Sequence, residues 1–191
     1  MLTDAAAISA IGAGVLSPAG PVGRAENLIL YDALAIMLAI VIPTMVAAGV
    51  FAWWFRASNR KARYLRDWAY SGRLELIVWS IPTLVILFLG GVILIGSHRL
   101  DPATPLPTVG RALEVQVVSL DWKWLFIYPD QKVATINELV VPAGVPIHFS
   151  LTSASVMNVF FVPQLGSMIY TMNRTVTQLH LQADQPGEFL G

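Results

Sequence analysis

The sequence predicts a two-helix transmembrane hairpin followed by an all-β sandwich domain. Three observations predict it. Two long runs, Ala33–Phe55 and Leu76–Gly96, contain no charged residue; a basic stretch separates them; and from residue 111 onward short alternating segments are cut by proline and glycine. At helical rise the runs measure about 35 Å and about 31 Å, enough to cross a hydrocarbon layer of about 30 Å. The 191-residue chain is 55% hydrophobic and only 13% charged. A soluble domain carries about a quarter charged residues, so the low charge reflects the hairpin. Two buried helices of a soluble protein would need far more chain around them than is present.

The elements follow in order. Residues 1–27 form an N-terminal segment in which Ala5–Leu16 is short, small and apolar, a leader remnant or a loose tail. Residues 28–97 form the hairpin. Each apolar run holds one proline, Pro43 or Pro82, which membrane helices tolerate when the freed carbonyl finds another donor. Trp53, Trp54 and Trp79 suit interfacial positions. Between the helices, residues 56–73 carry Arg56, Arg60, Lys61, Arg63, Arg66 and Arg73 against a single Asp67. The positive-inside rule puts this loop in the cytoplasm and both termini on the outer face. Ala57–Tyr70 is too polar to insert and is expected along the membrane surface.

Residues 98–110 hold Pro102, Pro105 and Pro107 and read as a linker. Residues 111–191 read as the outer β domain. Strands are expected at Leu113–Leu120, Trp124–Tyr128, Ala134–Val140, Ile147–Thr152, Val156–Val162, Ile169–Tyr170 and Thr175–Leu181, with turns at Pro142–Gly144 and Gln185–Gly187. Glu114 and Gln116 alternate onto one face, as do Gln178 and His180. A further strand is expected from Glu188, which would make the sandwich C-terminally incomplete, with a bare edge.

The formal charge is zero, so the electrostatic footprint of a nucleic-acid binder is missing. There is no cysteine, which removes disulfides and thiolate metal sites from these residues. The three histidines, His98, His148 and His180, show no metal-binding spacing, and no phosphate loop or nucleophile elbow occurs. Four residues stand out. Glu75 sits just inside the cytoplasmic end of the second helix, where an acid near hydrocarbon is a functional candidate, or a boundary residue reaching water or Arg73. Trp122 and Trp124 would share one face of a regular strand, as core filling, membrane-surface anchors or a contact surface for a partner. Asn158 lies in the apolar run Val156–Phe161, where a lone amide needs a hydrogen bond.

These same segments carry a resemblance. Ser119–Pro129 (SLDWKWLFIYP) and Ser153–Ser167 (SASVMNVFFVPQLGS) resemble subunit II of the bo3-type haem–copper ubiquinol oxidases. Met168–Met172, Thr177–Leu181, Pro186–Gly187, Trp54–Asn59 and Glu75–Trp79 extend the likeness over residues 16–191. It implies a cupredoxin-like Greek-key head over the two helices, in the bacterial inner membrane with the head periplasmic. It implies a non-catalytic subunit of a complex that couples ubiquinol oxidation and oxygen reduction to proton translocation. Partners would be subunit I, which would hold the haems and one copper, then subunits III and IV and membrane lipid. No cofactor is expected in this chain. The related cytochrome c oxidase branch binds a two-copper centre with a histidine where this chain has Asn158, so the asparagine would be a lost copper-ligand position. Glu75 would lie near the mouth of a proton pathway in subunit I. Trp122 and Trp124 would pack against subunit I. The lipid-modified N-terminal cysteine of many family members has no counterpart in this sequence.

Overall fold

The computed structural model describes residues 14–63, 69–107 and 110–191. Arg66 and Asp67 of the loop and most of the N-terminal apolar segment lie outside them. After a 3₁₀ turn at Gly14–Leu16 come two helices, α1 (Pro21–Trp54) and α2 (Gly72–Arg99). Seven strands follow: β1 (Leu113–Leu120), β2 (Lys123–Tyr128), β3 (Val133–Ile136), β4 (Ile147–Ser153), β5 (Asn158–Phe161), β6 (Met168–Thr171) and β7 (Thr177–Leu181). The chain divides into two compact units, residues 29–96 and residues 1–28 with 97–191.

In the helical unit both helices contain an apolar window long enough to span a membrane, and 0% of either window is covered by protein. That is the opposite of a buried core helix. Both helices run through their prolines. Each proline is followed by a threonine whose hydroxyl donates to the carbonyl four residues back, Thr44 to Ile40 at 2.7 Å and Thr83 to Trp79 at 2.8 Å. These hydroxyls supply donors next to the places where proline has none. The Asn59 side chain donates to the Trp54 carbonyl at 2.6 Å and closes the end of α1. Arg56 lies 5.2 Å over the Trp53 ring, a cation–π contact.

Helix α1 begins twelve residues before the apolar run. Pro21 opens it, since a first-turn residue needs no amide hydrogen. Arg24 and Glu26 make its first turns polar, so hydropathy does not mark them. Those turns belong to the β unit, and Val22 is one of its core residues.

The β unit holds a five-stranded mixed sheet, ordered β3-β2-β1-β4-β7, and a two-stranded β5-β6 hairpin. All pairs are antiparallel except β1 with β4, which run parallel in register from Leu113↔Ile147 to Ser119↔Ser153. One face of the sheet is apolar: Val115, Val117, Phe149, Leu151, Leu179 and Leu181 are all buried. Phe160 of β5 brings the second layer down onto it, 5.6 Å from Phe149 and 6.4 Å from Phe126 between ring centroids. The alternation read from the sequence is the cause, because period-2 burial gives each strand one core face.

Several expected boundaries move. The strand expected at Ala134–Val140 stops at Ile136 because Asn137 turns left-handed, with φ 59°. The strand expected from Val156 starts at Asn158, and that expected from Thr175 starts at Thr177. No ladder forms at Glu188–Gly191. That segment is irregular and ends beside the Phe161 carbonyl.

Candidate functional site

The β1–β2 connection decides where the tryptophans go. Leu120 pairs with Lys123 across the ladder, leaving Asp121 and Trp122 as a two-residue loop. Trp122 closes this loop at φ 60°, and its side chain is fully exposed at 101%. A left-handed conformation is uncommon for a bulky residue. Trp124 is half-buried in β2, edge-on to Phe160 at 5.5 Å. The two indoles therefore do not share a strand face as expected. Trp122 lies in the turn, before β2 begins, and alternation counts only within a strand. Asn137 fixes Trp124 from behind. Its Oδ1 accepts the Trp124 amide hydrogen at 2.8 Å, and its own amide donates to the Trp124 carbonyl at 2.8 Å.

Asn158 opens β5, half-buried. Its side-chain amide donates to the Val156 carbonyl at 3.4 Å, and its carbonyl accepts from the Thr171 hydroxyl at 3.2 Å. The Thr171 hydroxyl in turn accepts from that of Ser119 at 3.0 Å, a fully buried hydroxyl pair joining the hairpin to β1. Half-exposure and these bonds remove the energetic objection to an amide in an apolar run.

The fold gathers Trp122, Trp124 and Asn158 around one open depression of about 560 Å³, whose other walls include Asp121, Lys123, Val156 and Val159. The sequence placed Asn158 34 residues from Trp124; the β5 hairpin brings them together. Val156 of its wall is exposed at 64%. The walls are aromatic and aliphatic with one exposed acid and one exposed base. Tryptophan beside aliphatic side chains is a composition met at binding surfaces. The donor set of the depression does not fit a two-copper centre. Asn158 stands among indoles, aliphatics, Asp121 and Lys123, with no imidazole or thiolate on the wall. Among the described residues no group of three His, Cys, Asp or Glu is arranged to hold a metal ion.

Glu75 lies elsewhere, in the first turn of α2 and exposed. A carboxylate suits the positive end of a helix. No ion pair links it to Arg73 among the described residues.

Two constellations escaped the sequence reading. Glu114, His148 and His180 are aligned on neighbouring strands. The start of α1 is seated on the loop after β5: Gly23 donates to the Leu165 carbonyl at 3.0 Å, and the Glu26 carboxylate accepts from the Ser167 amide at 2.8 Å. Arg24 pairs with Asp184. Only pairing register and long-range packing reveal these contacts.

No protein-family model matches the chain. It is similar along its whole length to the ubiquinol oxidase subunit 2 of Acetobacter aceti, 46% identical over 192 residues, covering 100% of this chain and 62% of the relative. The likeness is to subunit II of ubiquinol oxidases. The cytochrome bo(3) ubiquinol oxidase subunit 2 of Pseudomonas aeruginosa is 47% identical over 177 residues, covering 93% of this chain and 54% of the relative. The quinol oxidase subunit 2 of Bacillus cereus is 36% identical over 179 residues, covering 93% and 61%. The chain thus spans between about half and three fifths of the length of these relatives. Among solved structures, the periplasmic domain of cytochrome oxidase subunit II from Bradyrhizobium japonicum matches with a TM-score of 0.40 and 25% identity, covering 43% of this chain and 72% of that one.

Proposed function

We propose that this chain is subunit II of a terminal quinol oxidase, in which ubiquinol oxidation and oxygen reduction to water are coupled to proton translocation. The observation that carries this reading is the 46% identity to a ubiquinol oxidase subunit 2 across the entire chain. The chain is a non-catalytic subunit. Subunit I holds the haems and the single copper, and subunits III and IV complete the assembly. Residues 28–97 are the hairpin in the bacterial inner membrane, with loop 56–73 cytoplasmic. The head, 111–191, and the N-terminal segment are periplasmic, joined through linker 98–110. The six basic residues of the loop support this orientation.

Within that frame the depression at Trp122, Trp124 and Asn158 is a docking face for subunit I. Exposed tryptophan beside aliphatic side chains is the composition of a binding hot spot. Asn158 occupies the position of a lost copper ligand. Glu75, exposed in the first turn of α2, is a proton-uptake carboxylate at the cytoplasmic side.

The test is purification of the intact membrane complex with haem, metal and oxidase assays. The complex oxidises ubiquinol, and Glu75→Gln lowers proton-coupled turnover while leaving assembly intact. A complex that oxidises reduced cytochrome c and not quinol refutes the assignment. Unchanged proton-coupled turnover in Glu75→Gln refutes the role of that residue alone.

A further inference from the structure

We propose that the double turn after α1, residues 56–63, is a binding site for anionic phospholipid headgroups, with Arg60, Lys61 and Arg63 as the cations that hold the phosphates. The inference rests on the membrane orientation proposed above, in which this loop lies at the cytoplasmic edge of the hairpin.

Past the end of α1 at Trp54 the chain makes two successive turns that share Asn59. The Asn59 amide donates to the Arg56 carbonyl at 2.9 Å, and the Ala62 amide to the Asn59 carbonyl at 3.3 Å. The Asn59 side chain braces both turns. Its amide group donates to the Trp54 carbonyl at 2.6 Å, and its Oδ1 accepts the Lys61 amide hydrogen at 3.2 Å. Half-buried Asn59 is thus the post, and exposed Arg60 and Lys61 are the tip of the second turn. The brace ties that tip to the last turn of a membrane-spanning helix.

The neighbours set the depth. Trp53, Trp54 and Phe55 are all exposed, and the apolar window of α1 is uncovered by protein. Tryptophans at the end of a span settle at headgroup level. Arg56 has a partner already, the Trp53 ring, and its charge suits the negative end of α1. Arg60, Lys61 and Arg63 do not. Residues 56–73 contain one acid, Asp67, which follows all three. Among the described residues the ion pairs lie elsewhere, at Arg24–Asp184, Arg111–Asp130 and Glu114–His148.

A partner for these cations must be negative and lie in the plane of the headgroups. The phosphate of an anionic lipid meets both conditions, whereas a zwitterionic lipid brings its own ammonium. Four or more Lys and Arg next to a span attract anionic lipid, by about fivefold in affinity for each charge at the surface. A plain charge run would do this loosely. Here the turns are already formed, so less loop entropy is lost on binding.

Photocrosslinking in the intact complex tests this. A benzoylphenylalanine replaces Ser58, exposed in the first turn. The complex is reconstituted into vesicles of phosphatidylethanolamine and phosphatidylglycerol in equal parts, irradiated, and the adducts on this chain are read by mass spectrometry. Phosphatidylglycerol adducts exceed phosphatidylethanolamine adducts by about tenfold or more, the effect of two engaged cations. Arg60→Gln, Lys61→Gln and Arg63→Gln together bring the ratio to near parity. Arg60→Lys with Arg63→Lys keeps the charge and the ratio. Asn59→Ala keeps every charge but unties the turns, and the ratio falls. Parity in the parent overturns the proposal, as does a ratio unmoved by the three glutamines or by Asn59→Ala. So do adducts to another subunit in place of lipid, which would make an acidic protein surface the partner. Ubiquinol oxidation is assayed in the same preparations: its absence refutes the function proposed above, while the adduct ratio decides the lipid site separately.

Discussion

Gly166→Ala tests how the first turn of α1 is seated. Gly166 has φ +79°, and a Cβ there would lie 2.8 Å from the Gly23 Cα, the Gly23 nitrogen and a Glu26 carboxylate oxygen. Two of those three atoms are backbone and cannot swing aside. The left-handed conformation costs an alanine about 1–2 kcal/mol, and the overlap adds about 1–3 kcal/mol. The sum, about 3 kcal/mol, corresponds to about a hundredfold at 1.4 kcal/mol per decade. The molecule can relieve it by letting the turn lift, giving up Gly23 to Leu165, Ser167 to Glu26 and the burial of Val22. Exchange of the Gly23 and Ser167 amides should therefore quicken by about two orders of magnitude, with β1 and β4 unaffected. Gly144→Ala separates the two contributions. Gly144 has φ +77° but nothing within 4 Å of its Cβ position, so that variant carries only the backbone cost. Equal effects from the two variants, or a Gly166→Ala change spread evenly over the sheet, would refute the reasoning.

Three other variants follow from the depression. Trp124→Ala removes the ring that meets Phe160 and should cost about 3 kcal/mol, read by denaturant titration of the head's tertiary signal. Trp122→Gly should instead stabilise the head by about 1 kcal/mol, because it removes a fully exposed side chain from a left-handed position. Under the docking reading it also weakens retention of the chain in the purified complex. Asn137→Ala loses the acceptor for Trp124 and places alanine at φ 59°. A loss of about 2 kcal/mol is expected in the same titration.

Much of this architecture was legible from residues alone. Ala33–Phe55 lies inside α1 but for its last residue, and Leu76–Gly96 lies wholly inside α2, because about twenty apolar residues in succession leave few alternatives. Leu113–Leu120 matches β1 end to end, since its alternation is clean and a turn follows. The start of α1 was hidden because Arg24 and Glu26 serve contacts to residues far along the chain, and local hydropathy registers them only as polar. The separation of Trp122 from Trp124 was hidden because the tight turn falls at Asp121–Trp122, without the glycine or asparagine that usually marks one. The likeness of the head motifs picked out Trp122, Trp124 and Asn158, but their shared depression depends on how β5 folds over the sheet. The Glu114–His148–His180 row was invisible for a related reason. Which residue faces which across three strands is fixed by a parallel pairing that no nearby turn dictates.

The seat of α1 also constrains how the protein can be made. Arg24 and Asp184, 160 residues apart, are partners in the finished fold. Ribosomes add about 5–20 residues per second, so the first turn of α1 waits on the order of ten seconds before its binding loop and Asp184 have emerged. During that wait Val22 has no core to enter, and the β5–β6 segment, once made, must find a helix that left the ribosome long before. Completion of the head is thus a late, long-range closure, and a chain interrupted before Asp184 leaves its own beginning without a resting place.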